Sequence, residues 1–212
     1  MRKNYVLALL LFLDFLNVEA QPGSMIPLPS PDLHKPLKSV MEAFAERKSV
    51  REFDTMSFQL SDLSQLLWAA NGVNRPAEKK RTAPSAMNAQ DIDIYVFTAK
   101  EVFLYDAFFH AIVSVVKGDF RQMLAAGQDF VKRAPVVLLL VSNLERFPRG
   151  TDEQKKQWAA IDAGMVAQNI ALYCSAAQWR TRPRAFMEVS QLKELLHLSA
   201  AQEPLLNLPV SY

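Results

Sequence analysis

The sequence predicts an α+β domain, a mixed sheet flanked by helices, on three observations. Ile92 to Thr98 alternates Ile92, Ile94 and Val96 with Asp93, Tyr95 and Phe97, the two-residue period of a half-buried strand. Val136 to Val141, directly after Pro135, is an unbroken β-branched and leucine run, the pattern of a central strand buried on both faces. Residues 152 to 177 contain no proline and carry Trp158, Ile161, Met165, Ala167 and Leu172, the longest helical stretch in the chain. Hairpins come early and isolated strands later, a loose alternation of the α+β class.

The remaining elements follow in order. Residues 1–20 read as a secretory signal. Arg2 and Lys3 give a positive start, Tyr5 to Leu13 an apolar run too short to span a bilayer, and Val18-Glu19-Ala20 a small-residue cleavage site before Gln21. The reading makes the chain an exported protein, periplasmic or secreted, with no membrane anchor after cleavage. Residues 21–36, with Pro22, Gly23, Pro27, Pro29 and Pro31, read as a linker, and residues 37–212 as one domain. Leu37, Val40, Met41 and Phe44 mark a short amphipathic helix over 37–46. Ser61 is the expected N-cap of a second helix, with a stripe of Leu63, Leu66, Leu67 and Ala70 and a stop at Gly72. Residues 73–91 read as loop. Val102 to Tyr105 is the hairpin partner of the first strand, and Ile112 to Val116 a third strand closed by Lys117-Gly118-Asp119. A helix is expected over 120–132, another over 189–198, and a last strand over 205–212.

Composition excludes several classes. The 212 residues are 50% hydrophobic and 22% charged with a net charge of +2, which suits a globular domain and not a nucleic-acid binder. The single cysteine, Cys174, rules out an intrachain disulfide and, set among Ala171, Leu172, Tyr173 and Ala176, reads as a buried apolar residue. Phosphate-binding glycine loops, a Gly-x-Ser-x-Gly elbow and paired-histidine helices are absent from the sequence, and no catalytic acid, base or nucleophile is assigned. His34, His110 and His197 stand in unrelated contexts, are read as surface or loop residues, and predict no metal site.

Three polar clusters are candidates for chemistry. In Arg47-x-Ser49-x-Arg51, an extended backbone would put two guanidiniums and a hydroxyl on one side, and arginine can fork onto phosphate oxygens. Taken alone, it reads as a solvated charged stretch after a helix. The run from Arg81 to Gln90, with Pro84, Ser85 and Asn88, offers donors and acceptors for the edge of a planar heterocycle, or else a turn capped by its own side chains. Asp162-x-Gly164-x-x-x-Gln168-Asn169 puts a glycine inside the long helix, at a cost of about 1 kcal/mol against alanine, and reads as a packing feature.

In order and separation these clusters, with a closing Pro-Val-x-Tyr strand, resemble the nitroreductase family from about Leu37 to Tyr212. The resemblance implies an α+β sandwich that dimerises through its long central helix, with FMN bound in two interfacial sites. It assigns Arg47, Ser49 and Arg51 to the phosphate, ribityl chain and pyrimidine edge of the flavin. Pro84, Ser85 and Asn88 would approach the same flavin from the partner subunit, and Arg184 and Ala185 would lie near its N5. It implies hydride transfer from NAD(P)H to a nitroaromatic, quinone or related acceptor. The sequence departs from the family pattern at Gln178-Trp179, where a Gly-Leu pair is usual, and at Ala185, where glycine is frequent. It departs again at Val210-Ser211-Tyr212, where the family has a glycine and continues to a basic residue. Two alternatives stay open: a flavin dehydrogenase or dehalogenase on this fold, with Arg180, Arg182 and Arg184 facing an anionic substrate, or a flavin-free binding dimer.

Overall fold

The computed structural model describes residues 23–212; the expected signal segment, and the first two residues of the expected linker, lie outside the described residues. The strands are β1 (Met25–Pro27), β2 (Val73–Arg75), β3 (Lys80–Arg81), β4 (Ile92–Phe97), β5 (Glu101–Asp106), β6 (Ala111–Lys117), β7 (Val136–Asn143), β8 (Arg180–Thr181) and β9 (Gln202–Ser211). The helices are α1 (Val40–Glu46), α2 (Leu60–Asn71), α3 (Arg121–Ala125), α4 (Phe130–Arg133), α5 (Asp152–Ala176) and α6 (Val189–Leu195).

The main sheet has the order β1-β6-β5-β4-β7-β9-β8. Its recorded pairs are all antiparallel, so the α+β class stands while the expected mixture of parallel and antiparallel pairs does not occur. The connections explain this. Hairpins join β4, β5 and β6. Between β7 and β9 the chain returns along α5 and climbs again through β8, so β9 enters beside β7 running the opposite way.

Each face of the sheet buries its own core. Ile94 and Val96 of β4 and Leu138 and Leu140 of β7 pack with Leu66 and Leu67 of α2 and Val166 and Ile170 of α5. Alternate residues Tyr95, Phe97, Val137 and Leu139 point the other way, onto Leu124 of α3, Val131 of α4 and Leu192 of α6. The central reading of β7 holds. The half-buried reading of β4 is corrected, because its second face is covered by the short helices.

Several other expectations change. Residues 25–28 are not linker: β1 pairs with the exposed edge of β6, and Leu28 is buried in the core. Pro27 is tolerated because an edge strand has a free side. The N-cap of α2 is Gln59, without a side-chain bond, and Ser61 lies inside the helix. Gly72 ends α2 as expected, but its backbone is extended rather than left-handed. A Cβ there would lie 2.7 Å from the Trp68 Cα, so close approach is what requires glycine. Residues 73–91 contain the β2–β3 ribbon and two single helical turns. The helix expected over 120–132 is split by left-handed Ala126 and Gly127. The helix at 37–46 forms with a Ser39–Glu42 capping box, yet Val40, Met41 and Phe44 face outward and only Ala43 is buried.

Candidate functional site

Helix α1 lies against the C-terminal end of α5, where Ser175 Oγ donates to Ala43 O at 2.8 Å and Lys38 N donates to Ala176 O at 3.1 Å. That placement carries the segment after α1 onto the end of the long helix. Val50 N donates to Thr181 O at 3.3 Å, and Phe53 is buried against Phe130, with ring centroids 6.3 Å apart. Between these two anchors Arg51 remains exposed.

A cleft of about 470 Å³ opens there, lined by Lys48, Arg51, Ala171, Ser175, Trp179 and Arg180 among others. A second hollow shares Gln178 and Trp179 with it. Glu46 and Glu52 also reach the first cleft. Arg47, Lys48, Arg51 and Arg180 have no ion-pair partner among the described residues. Unneutralised cations at an open cleft suit an anionic group such as a phosphate.

Of the first predicted cluster, Arg51 lines this cleft, while Arg47 and Ser49 are exposed beside it and do not line it. Lys48 does, because the segment is not a regular strand and the expected two-residue alternation does not hold. Trp179 was missed as a wall of the site. It is held edge-on by Phe58 at 4.9 Å, Tyr173 at 5.4 Å and Tyr212 at 5.4 Å. Gln178 before it adopts φ 60°, the left-handed region, which explains why glycine suits this place in the family pattern.

The second cluster is a built loop. Met87, Asn88 and Gln90 all have φ between 50° and 55°, each at a cost of about 1–3 kcal/mol that surrounding bonds must offset. Those bonds are present. Ala86 N donates to both oxygens of Asp162, at 3.1 and 2.9 Å, and Gln90 N donates to Ser85 Oγ at 2.9 Å. Arg81 Nε donates to Gln90 Oε1 at 3.1 Å, and Arg146 donates to Gln90 O at 2.9 Å. The effect is to present Pro84 and Asn88 outward. Ser85 thus caps its own turn, and Asn88, exposed, accepts from Gln90 Nε2 at 3.4 Å.

The two clusters stand apart in one chain. Asp162 holds the loop, and Ser175 lines the cleft, thirteen residues further along α5, or about 20 Å at 1.5 Å per residue.

Arg184 is corrected. Its guanidinium is buried, 7% exposed, and donates to Leu124 O at 2.8 Å, Asn207 Oδ1 at 2.7 Å and Ala125 O at 3.2 Å. It ties the last turn of α3 to β9, where a cation suits helix carbonyls, and cannot also reach a ligand. Burial lowers its pKa, with nearby Arg182 adding to the effect. Ala185 and Phe186 beside it are exposed, as a residue flanking a ligand would be. Arg180, Arg182 and Arg184 do not share a face: Arg180 lines the cleft, while Arg182 and Arg184 both stand over the Phe130 ring.

His110 sits in the β5–β6 turn, in keeping with the loop reading, and is half-buried, with Nδ1 2.9 Å from Tyr105 OH and Nε2 2.8 Å from Ser64 Oγ. Burial lowers its pKa, partly offset by a contact with Pro29 O. Phe108 and Phe109 in the same turn are exposed and belong to neither core. Cys174 is fully buried, and burial pushes its thiol up, in keeping with a packing role. Among the described residues no group of histidine, cysteine, aspartate and glutamate could hold a metal.

The chain is thus a helix-flanked antiparallel sheet with a cation-rimmed cleft at the end of its longest helix. Residues 44–212 match the model of the nitroreductase family, and the chain belongs to that family. Nitroreductase MJ1384 of Methanocaldococcus jannaschii is 27% identical over 197 residues, covering 89% of this chain and 97% of that one. The crystal structure of a nitroreductase from Ralstonia eutropha JMP134 is 35% identical, with a TM-score of 0.82 over 90% of this chain and 92% of that chain. The Escherichia coli microcin synthetase McbBCD complex shares the fold at 17% identity, with a TM-score of 0.69 over 99% of this chain and 84% of that chain.

Proposed function

We propose that the protein is a homodimeric, FMN-dependent oxidoreductase that takes hydride from NAD(P)H and passes it to a nitroaromatic, quinone or related acceptor. The observation that carries this reading is the separation of the two clusters. A ligand gripped both by Arg51 and by the 84–88 loop is most simply met by two chains, because the α5 residues beside them, Ser175 and Asp162, lie about 20 Å apart in one. An antiparallel pairing of two α5 helices brings each loop to the other chain's cleft. The surface for such a pairing exists. Ile161 and Met165 are exposed on α5, a Cβ on Gly164 between them would meet nothing, and Val40, Met41 and Phe44 extend the apolar area on α1.

The residues fit the cofactor's chemistry. Lys48, Arg51 and Arg180 would hold the phosphate and the electron-rich pyrimidine edge, where Arg51 favours the charge that reduction brings. Trp179 supplies an apolar wall, and Asn88 a carboxamide for the edge of the ring. The flavin, when bound, supplies hydride exchange at N5, so the protein's work is to bind, orient and exclude water, and no protein acid or base is required. Export, read from residues 1–20, belongs to the same proposal, and N-terminal sequencing of the mature protein should begin at Gln21.

The test is reconstitution. The purified protein with added FMN should retain about one flavin per chain through gel filtration, and anaerobic NADPH should bleach it. Flavin that passes through unbound at micromolar protein would refute the reading.

A further inference from the structure

Beneath the 84–90 loop lies a pair of carboxyl groups without a cation. Asp91 is 0% exposed and Asp162 is 3% exposed. Neither takes part in an ion pair among the described residues. Asp91 Oδ2 accepts from Ser142 Oγ of β7 at 2.5 Å, but Asp91 Oδ1 has no donor at all. Asp162 of α5 lies within hydrogen-bonding reach of Asp91 and spends both its oxygens on Ala86 N. Two ionised carboxylates in contact, buried and unpaired, would repel each other in a medium that solvates neither. An orphaned oxygen facing a carboxylate is resolved at once if it carries a proton.

We propose that Asp91 and Asp162 are a positioning pair: Asp91 is the acid, donating from Oδ1 to Asp162, and Asp162 holds Ala86 and so shapes the flavin-contacting loop. The inference rests on the flavin reading for the purpose of the loop, but not for the existence of the pair. The surroundings agree. On Asp91's own strand Asp93 adds negative charge, which Arg146 offsets by pairing with Asp93 at 2.8 Å, and Arg81 stands near Asp93. Burial is the main cause that raises Asp91, to about 7, opposed by the Ser142 bond and reinforced by Asp162. As the pH rises through neutrality the proton leaves, the two charges face each other, and the loop loses its anchor. The sign for stability follows. Unfolded Asp91 loses its proton near pH 4 and the folded form only near 7, so the fold loses stability across that window and none above it.

Asp91→Asn supplies an N–H where the acid has its O–H, at any pH. The test compares wild type with this variant in two ways, one of which needs no ligand. Carboxyl carbon NMR of aspartate-labelled protein should show one resonance titrating near neutrality in the wild type and missing from the variant. FMN dissociation constants between pH 5.5 and 8.5 should rise at least tenfold more in the wild type than in Asp91→Asn, a comparison that cancels titration of FMN itself. Should FMN bind neither protein, the flavin reading falls while the NMR titration still supports the pair. Wild-type aspartates that are all ionised by pH 5.5 would overturn the pair, whether or not the variant folds. Equal pH dependence of FMN affinity in the two proteins would overturn its role in the loop.

Discussion

At the scale of single residues, exposure separates Arg51, proposed to hold a ligand, from Arg184, which ties the fold. Arg51 stands exposed at the cleft without an ion-pair partner among the described residues. Arg51→Met should raise the FMN dissociation constant at least tenfold by fluorescence titration, since charge-assisted bonds are the strong ones. Its stability to urea should change by less than about 0.5 kcal/mol. Arg184→Met should do the reverse. It strands the carbonyls of Leu124 and Ala125 and the amide oxygen of Asn207 inside the protein, and the urea midpoint should fall by an amount worth about 3 kcal/mol. Both arginines were singled out in the sequence, and nothing local distinguished them. The partners of Arg184 come from α3 and β9, far along the chain. Asp162 was visible as one letter of a helix motif, but its bond to Ala86 spans 76 residues, which no spacing rule reveals.

At the scale of elements, hydrophobic period was a sound guide where one face meets one partner. Strand β7 and helix α5 were legible because their patterns are long, and Leu138, fully buried at the centre of β7, marks how tightly they pack. Leu138→Ala should lower the unfolding free energy by about 2–5 kcal/mol in urea denaturation. Gly72→Ala should cost about 1–3 kcal/mol by the same measurement, because the added methyl meets the Trp68 backbone. Period misled where a face is covered late or not at all. The second face of β4 is buried by the short helices α3, α4 and α6, which come later in the chain, and this made an alternating strand into a largely buried one. The apolar residues Val40, Met41 and Phe44 of the amphipathic α1 point outward. The strand at Met25–Pro27 was hidden by prolines, which an edge strand tolerates.

At the scale of the whole molecule, the outward apolar residues of α1 and α5 and the separation of the two clusters are what the proposed dimer rests on. The α5 surface was hard to read in sequence because Ile161, Gly164 and Met165 are a short patch flanked by Gln157 and Gln168. Met165→Glu should convert a dimer to monomers in sedimentation velocity and abolish FMN retention together, since the loop and the cleft then no longer meet. The family resemblance read from the clusters is borne out by the family match and the antiparallel α+β fold, while the cofactor, the dimer and export are the parts left to experiment. The most direct measurement is the anaerobic absorption spectrum of the purified protein with FMN, before and after NADPH. The account expects flavin bands at about one per chain that bleach on addition of NADPH. A protein that holds no flavin at micromolar concentration, with its fold intact by circular dichroism, would contradict it.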